Sequence, residues 1–259
     1  YAAVAPALVS WLLGVPVALH EQNSVPGVAN RLLAKIARRV LVSFQDKDGW
    51  FPARKVVFSG NPVRRDIVSR ARKTQSREVH TPGRILVLGG SQGAKALNEA
   101  VLAALPGFKA AGLTLWHQTG ALDAARVREG YAAAGVDARV EPFIDDMAAA
   151  YDWADVALCR AGASTVAELA VAGIPAVLVP YPYATHDHQL TNARELAGLG
   201  AAVCLEQPRL KEVDLPTLLA GVTGDTSRLA KMSEAMRCAG RPEAAAVVVS
   251  ELERLGGGK

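Results

Sequence analysis

The segment RILVLGGSQGA, residues 84–94, joins a short apolar run to a glycine-rich turn. The run RILVL has the length and apolar character of a strand that is buried on both faces of a parallel sheet. Glycines in the turn let the backbone approach a ligand, and a helix that starts after them directs free N–H groups and its positive dipole end at an anion. The segment therefore predicts a strand, a turn suited to a diphosphate and a helix; the alternative is a tight connection without a ligand.

A second segment, CRAGASTVAE at 159–168, has the same arrangement of strand end, small-residue turn and helix start. Its Thr165 and Glu168 match the Thr-x-x-Glu capping box, in which the glutamate satisfies backbone N–H groups. A carboxylate at this position could instead accept hydrogen bonds from the two hydroxyls of a ribose, as acidic residues do in dinucleotide sites. Both interpretations of Glu168 remain open from the residues alone.

Short β-branched runs alternate with helical patterns along the whole chain, which is typical of βα units around parallel sheets. The predicted strands are residues 15–19, 40–44, 55–58, 84–88, 113–116, 139–141, 156–159, 176–179 and 202–205. Amphipathic helices are predicted at 28–39 and, at the end of the chain, at 242–255. Residues 64–83 are polar and lack strand signals, which predicts a domain junction near Asn61 and Pro62 followed by a solvated linker.

Polar side chains follow strands or begin helices at four further places: HEQN at 20–23, DKD at 46–48, NPVR at 61–64 and DHQLTN at 187–192. Ligands collect at the carboxyl ends of strands in parallel α/β sheets, so HEQN is a candidate site. The amides of DHQLTN could read sugar hydroxyls, or its aspartate could simply cap the helix. The carboxylates of DKD could bind a metal ion, but the flanking Gly49 and Pro52 favour a surface turn.

The composition limits the function classes. Half of the 259 residues are apolar and the net charge is +4, which indicates a globular protein with only weak attraction to phosphate-rich partners, too weak to predict nucleic-acid binding. Three cysteines without metal-ligand spacing indicate a reducing compartment, the cytoplasm. The chain begins at Tyr1 without a methionine, inside an apolar helical pattern, which predicts that a preceding segment is missing.

Six motifs, taken together and in this order, resemble those of the MurG family of glycosyltransferases. They are HEQN at 20–23, NPVR at 61–64, GGSQGA at 89–94, FIDDM at 143–147, RAGAST at 160–165 and HQ-x-x-N at 188–192. The resemblance covers essentially the whole chain and implies the α/β GT-B fold, in which two Rossmann-like domains with parallel sheets face a cleft. The N-terminal domain would be incomplete, because the family's first glycine-rich loop and the histidine usually discussed in catalysis would precede Tyr1. The intact protein is therefore expected to be an enzyme, whereas this piece alone is expected to bind the donor and turn over poorly.

The resemblance implies inverting transfer of N-acetylglucosamine from UDP to the C4 hydroxyl of the N-acetylmuramyl unit of lipid I, which forms lipid II for peptidoglycan. UDP-N-acetylglucosamine is then the donor, and neither a metal nor another cofactor is implied. The backbone at Ile144 would read uracil, Glu168 would take the ribose hydroxyls, and Gln189 would read the hexosamine. The residues against the diphosphate and the adjacent sugar would be Ser91, Ala163, Ser164, Thr165, Val166 and Ala167. Asn23 and Arg64 would approach from the N-terminal side of the cleft.

The expected domains are residues 1–62, 63–240 and 241–259, the last being a helix that could pack on either domain, including back on the N-terminal one. The resemblance also implies a peripheral position on the cytoplasmic face of the bacterial membrane, with lipid I as a partner and no nucleic acid. Two alternatives stay open. One is a noncatalytic UDP-sugar-binding subunit with a separate N-terminal partner. The other is a related GT-B lipid glycosyltransferase that uses another acceptor.

Overall fold

Two parallel sheets organise the chain in this computed structural model, which describes residues 3–73, 80–81, 83–90, 93–184 and 187–257. The smaller sheet has the order β1 (Ala18–Glu21), β2 (Arg39–Val42) and β3 (Val56–Phe58). Helices α1 (Val4–Leu12) and α2 (Val28–Leu33) accompany it. Apolar residues of its strands pack on α2 and on Phe51, which gives this sheet a core of its own.

The larger sheet has six parallel strands in the order β6-β5-β4-β7-β8-β9. These strands are β4 (Arg84–Leu88), β5 (Thr114–Gln118), β6 (Ala138–Glu141), β7 (Val156–Cys159), β8 (Ala176–Leu178) and β9 (Ala202–Cys204). The helices that follow residue 64 are α3 (Arg65–Lys73), α4 (Lys95–Ala110), α5 (Ala124–Ala134), α6 (Met147–Trp153), α7 (Ala163–Ala172), α8 (His188–Gly198), α9 (Leu215–Thr223), α10 (Thr226–Ala239) and α11 (Ala244–Gly256).

The larger sheet is buried on both faces. Leu86 and Leu88 of β4 belong to a core layer shared with α6 and α7, whereas Ile85 and Val87 belong to a layer shared with α4 and α9. Because successive side chains of a strand point to opposite faces, a strand with helices on both sides is apolar at most of its positions. This requirement explains why the run at 84–88 was recognisable in the sequence.

The segment after residue 64 is not the solvated linker that its composition predicts. Residues Arg65–Lys73 form α3, which packs on α6 and α7, and Ile67 is fully buried there. Val68 and Ala71 pack against the same cluster. Three apolar residues on one side are enough to dock a short helix, although the charged residues around them dominate the composition.

Several predicted elements have different bounds, and two of them differ by more than two residues at one end. The helix predicted at 28–39 ends at Leu33 and continues as a turn, and the first strand begins at Ala18 and includes the polar residues His20 and Glu21. Glu21 is buried because its carboxylate accepts from the backbone N–H groups of Asn23 and Gly27, at 3.0 Å each. The strand therefore carries the beginning of the HEQN motif to the edge of the smaller sheet.

The last helix contacts the smaller sheet. Arg39 of β2 donates from Nε to Oε2 of Glu251 in α11 at 3.2 Å, and Arg241, just before α11, lies over the ring of Phe58 at 4.7 Å. The chain thus crosses back from the larger sheet at its end. Among the described residues, no helix is both long enough and apolar enough to cross a bilayer.

Candidate functional site

The larger sheet reverses its strand order between β4 and β7. From β4 the chain proceeds through β5 to the β6 edge, and it then returns to place β7 on the other side of β4. Leu88 and Cys159, the last residues of the two strands, are register partners. The loops that leave the strands diverge at such a switch point and open a crevice at the carboxyl ends, where ligands of α/β proteins bind.

The turn after β4 forms one wall of this crevice. Gly90 and Gly93 have φ values of +79° and +77°, which favour glycine, and a Cβ on Gly93 would lie 2.5 Å from the carbonyl oxygen of Thr119. A Cβ on Gly90 would meet no atom within 4 Å. Helix α4 begins beyond the turn, and no side chain caps the N–H groups of its first turn. Ser91, predicted to contact the diphosphate, lies outside the described residues.

A buried polar network holds this turn in place. Asn98 of α4 donates to the carbonyl oxygen of Thr119 at 3.0 Å and to Oδ2 of Asp123 at 2.8 Å. Its Oδ1 lies 3.0 Å from Nε2 of His117, whose Nδ1 lies 3.2 Å from the hydroxyl of Tyr131. The amide orientation makes Nε2 of His117 the donor and Nδ1 the acceptor. Burial lowers the pKa of His117 from 6.5 to about 4, so the ring is neutral at pH 7.

The turn after β7 forms the facing wall. Gly162 is the N-cap residue of α7, and a Cβ there would meet nothing within 4 Å. The first intrahelical bond of this turn runs from Val166 N–H to the Gly162 carbonyl at 2.9 Å, which leaves the N–H groups of residues 163–165 without an intrahelical acceptor. The predicted residues Ala163, Ser164, Thr165, Val166 and Ala167 all lie in the first turns of this helix.

Glu168 does not close a capping box, because α7 starts at Ala163 and Thr165 is already inside the helix. The carboxylate of Glu168 instead accepts a 2.8 Å hydrogen bond at Oε2 from the hydroxyl of Tyr151. Burial raises the pKa of Glu168, while the Tyr151 hydrogen bond and the charge of Arg64 act in the opposite direction. Arg64, a predicted site residue from the domain junction, therefore lies within electrostatic range of the carboxylate.

Ile144 lies in the loop between β6 and α6. Its side chain is buried in the same cluster as Tyr151 and Val166, which fixes the loop to the wall of the site. Among the described residues, no hydrogen bond occupies its backbone N–H or C=O. The main chain at Ile144 therefore offers one donor and one acceptor, which is the pattern that the imide edge of a pyrimidine complements.

Gln189 lies in the first turn of α8. Its Oε1 accepts from the backbone N–H of Tyr181 at 2.9 Å. The NH2 group of the side chain takes no part in this bond. Asp187 precedes the helix in a left-handed conformation with φ of +52°, and its side chain makes no capping bond. The alternative interpretation of this motif as a simple aspartate cap is therefore wrong.

Asn192, one turn further along α8, connects the two sheets. It is fully buried, and its Oδ1 accepts from both the backbone N–H and the hydroxyl of Ser24 at 3.1 and 2.9 Å. Its Nδ2 donates to Oδ1 of Asn23 at 3.3 Å and to the carbonyl oxygen of Ala161 at 3.2 Å. The predicted residue Asn23 is thus held beside the turn after β7, although Asn192 itself has no group left for a ligand.

The motif at 46–48 forms a turn. Both carboxylate oxygens of Asp46 accept from backbone N–H groups, those of Trp50 and Phe51, at 2.9 Å each. Lys47 forms a 2.7 Å ion pair with Glu195 of α8. Within the described ranges, no group of three or more His, Cys, Asp or Glu residues could hold a metal ion.

Comparisons with known proteins find one glycosyltransferase family over both parts of the chain. The model of the glycosyltransferase family 28 C-terminal domain matches residues 84–248, and that of the family 28 N-terminal domain matches residues 1–42. A UDP-N-acetylglucosamine--N-acetylmuramyl-(pentapeptide) pyrophosphoryl-undecaprenol N-acetylglucosamine transferase from Nitratidesulfovibrio vulgaris (strain DP4) is 54% identical over 257 residues, which cover 98% of this chain and 70% of the relative. The transferase of the same name from Lawsonia intracellularis is 44% identical over 97% of this chain and 70% of its own length.

Among solved structures, the crystal structure of Acinetobacter baumannii MurG superposes with a TM-score of 0.76 at 36% identity. The match covers 98% of this chain and 72% of that protein. Both parallel sheets fall within the matched region, so the similarity extends to the arrangement of the whole chain.

Proposed function

The chain belongs to the MurG family of glycosyltransferases and has its GT-B fold, and from this premise we propose how it acts. It transfers N-acetylglucosamine from UDP-N-acetylglucosamine to the C4 hydroxyl of the N-acetylmuramyl unit of lipid I, which yields lipid II for peptidoglycan. The observation that carries this function is the pairing of Leu88 with Cys159, since it places two glycine turns and the starts of α4 and α7 around one crevice.

The donor nucleoside is proposed to bind along α6 and α7. The free backbone groups at Ile144 pair with uracil, and the carboxylate of Glu168 accepts from the ribose hydroxyls. The diphosphate then lies against the first turn of α7 and the glycine turn after β4. Gln189 remains available for the hexosamine through its NH2 group.

The chemistry needs stabilisation of negative charge on the departing UDP. Fixed N–H groups at residues 163–165 and the positive ends of α4 and α7 supply a field that is already oriented before the reaction. Such stabilisation supports a donor that is used without a metal or an organic cofactor. Inversion requires the acceptor hydroxyl to attack from the side opposite to the diphosphate, and we propose that this is the side of the smaller sheet.

The acceptor side is proposed to be residues 1–62, with 63–240 as the donor domain and 241–259 as a returning helix. Asn23, held by Asn192, and Arg64, near Glu168, face the donor from that side. Lipid I is embedded in the membrane, so the protein is proposed to work as a peripheral protein on the cytoplasmic face of the bacterial membrane. No nucleic acid is proposed as a partner.

Transfer of radiolabelled N-acetylglucosamine tests the proposal. The intact protein, with the segment expected before Tyr1, is incubated with labelled UDP-N-acetylglucosamine and either a lipid I analogue or diacylglycerol, and the label in the lipid phase is measured. Label is expected on the lipid I analogue only. Transfer to diacylglycerol alone would mean that the acceptor is another lipid and not lipid I. Tight UDP binding with no transfer to either lipid would indicate a noncatalytic binding subunit.

A further inference from the structure

Tyr151 is a buried tyrosine whose hydroxyl has a charged partner. It lies on α6, is 2% exposed, and donates to Oε2 of Glu168 at 2.8 Å. No hydrogen bond from another described residue occupies Oε1 of Glu168, and that oxygen remains available to a ligand. No local pattern predicts this contact, because the two partners lie 17 positions apart with strand β7 between them.

The same helix also positions the predicted base contact. Helix α6 starts directly after the loop that carries Ile144, and Asp146 caps it by accepting from the backbone N–H of Ala149 at 2.8 Å. Ile144 and Tyr151 are buried in one cluster. The short helix α6 therefore supports both Ile144, which is proposed to contact the base, and Glu168, which is proposed to contact the ribose.

We propose that Tyr151 is a positioning residue that fixes the Glu168 carboxylate for recognition of the donor ribose. The inference rests on the proposed function, in which Glu168 accepts from the ribose hydroxyls. With Oε2 held by the tyrosine, the carboxylate keeps one rotamer, and Oε1 stays available to the ligand. Two vicinal hydroxyls can then be bound without the loss of side-chain freedom that a mobile glutamate would suffer on binding.

Electrostatics supports the same role. A carboxylate must be ionised to accept from two hydroxyls, and burial raises the pKa of Glu168. The Tyr151 hydrogen bond lowers that pKa and favours the ionised form. Burial raises the pKa of Tyr151 well above its ordinary value, so the phenol keeps its proton and acts as a constant donor.

A purely structural role is the competing explanation, because a buried tyrosine hydroxyl usually finds a partner. Binding of modified nucleotides separates the two roles. Calorimetry compares UDP with 2′-deoxy-UDP and 3′-deoxy-UDP for the wild-type protein, for Tyr151→Phe and for Tyr131→Phe. Tyr131 is the matched control, since it is a buried tyrosine whose hydroxyl bonds to another side chain, His117, on the opposite face of the sheet.

The wild-type protein is expected to bind UDP at least about tenfold more tightly than either deoxy nucleotide, because hydrogen bonds to a charged group are strong. In Tyr151→Phe this ratio falls to about threefold or less, whereas Tyr131→Phe keeps the wild-type ratio even if its affinities change. An unchanged ratio in Tyr151→Phe would overturn the positioning role. A wild-type protein that binds UDP without discrimination would overturn the ribose role of Glu168 and, with it, this inference; absence of UDP binding would reject the proposed function itself.

Loss of folding in Tyr151→Phe would not end the test. The variant with 4-fluorophenylalanine at position 151 fills the space of the hydroxyl oxygen but cannot donate a proton. The same ratio of affinities is measured once its circular-dichroism spectrum matches that of the wild type. A fall in the ratio supports the positioning role, and a retained ratio contradicts it.

Discussion

Leu88 and Cys159 end neighbouring parallel strands as register partners, although 71 positions separate them in the sequence. Their pairing brings the turn at Gly89 and Gly90 beside the turn at Gly162, and each turn leads into a helix whose first N–H groups face the crevice. Two helix N-termini around one space create a site for an anion with two phosphate groups. The space beside Gly162 is therefore the most direct place to test whether the diphosphate binds in this crevice.

Replacing Gly162 with alanine is expected to weaken UDP binding by about tenfold or more at little cost in stability. The residue has φ of −66°, and the added Cβ would meet no protein atom within 4 Å. The methyl group therefore enters only the space that the ligand is proposed to fill. Alanine is a poorer N-cap than glycine, so the substitution costs about 0.5–1 kcal/mol of stability. Calorimetry with UDP and thermal unfolding measure the two effects.

Gly27→Ala is the matched control for this substitution. Gly27 is also an N-cap glycine, with φ of −64° and nothing within 4 Å of its added Cβ, but it begins α2 beside the smaller sheet. Its UDP affinity should equal that of the wild type. Equal affinity of the Gly162→Ala variant as well would mean that the diphosphate does not approach the start of α7.

The bridge between the sheets predicts a loss of stability in Asn192→Ala. The buried amide makes four hydrogen bonds, and its removal leaves the Ala161 carbonyl and the Ser24 N–H without their partner. Buried groups that lose a partner cost about 1–3 kcal/mol each, so a loss of about 2–4 kcal/mol is expected for the variant. Urea unfolding, followed by circular dichroism, measures the change.

Glu195→Gln provides the comparison on the same helix. Glu195 of α8 also pairs with a residue on the side of the smaller sheet, Lys47. The Lys47 side chain is 60% exposed, and exposed ion pairs contribute about 0–1 kcal/mol. If both variants lose the same small amount of stability, the buried amide does not hold the two halves together.

The strands were the most predictable part of the fold. The residues at 84–88 and 156–159 form β4 and β7 with the predicted bounds, because a strand buried on both faces is continuously apolar and therefore visible in the sequence. Helix α3 was not predictable in this way, since only three of its residues are apolar and the rest are charged or polar. A composition average over the segment conceals such a narrow stripe.

The supporting polar contacts of the site could not be predicted from local patterns. The hydroxyl of Tyr151 bonds to the carboxylate of Glu168, which lies 17 positions away. The amide of Asn98 bonds to His117, which lies 19 positions away. Nothing in a short window distinguishes a tyrosine that bonds to a carboxylate from one that packs in the core. The glycine turns were recognisable because their conformational requirement is local, whereas their supports depend on the register of distant elements.

The buried His117 predicts a pH dependence of stability. Its pKa is 6.5 when unfolded and about 4 in the folded protein, so the unfolded chain binds more protons between these values and stability falls as the pH is lowered through this window. Between pH 7 and pH 5 the loss from this group is about 2 kcal/mol. Asp123, with a pKa lowered to about 2 mainly by its hydrogen bond with Arg126, titrates below this range.

His117→Gln tests this dependence, because glutamine is polar but does not titrate. The free energy of unfolding is measured in urea at pH 7 and pH 5 for both proteins. The variant should lose about 2 kcal/mol less than the wild type between the two pH values, since all other titrating groups are shared. Equal losses would show that His117 is already protonated in the folded protein at pH 5.

Glu168→Gln separates nucleotide recognition from folding. Glutamine keeps the size of the side chain but cannot hold the negative charge that two ribose hydroxyls require, so UDP affinity should fall about 10- to 100-fold. Stability should change by less than about 1 kcal/mol, because burial already disfavours the ionised carboxylate and Glu168 caps no helix. Glu129→Gln, an exposed change on α5, controls for the loss of a charge and should alter neither property. A Glu168→Gln protein that unfolds more easily but binds UDP as tightly as the wild type would return this carboxylate to a structural role.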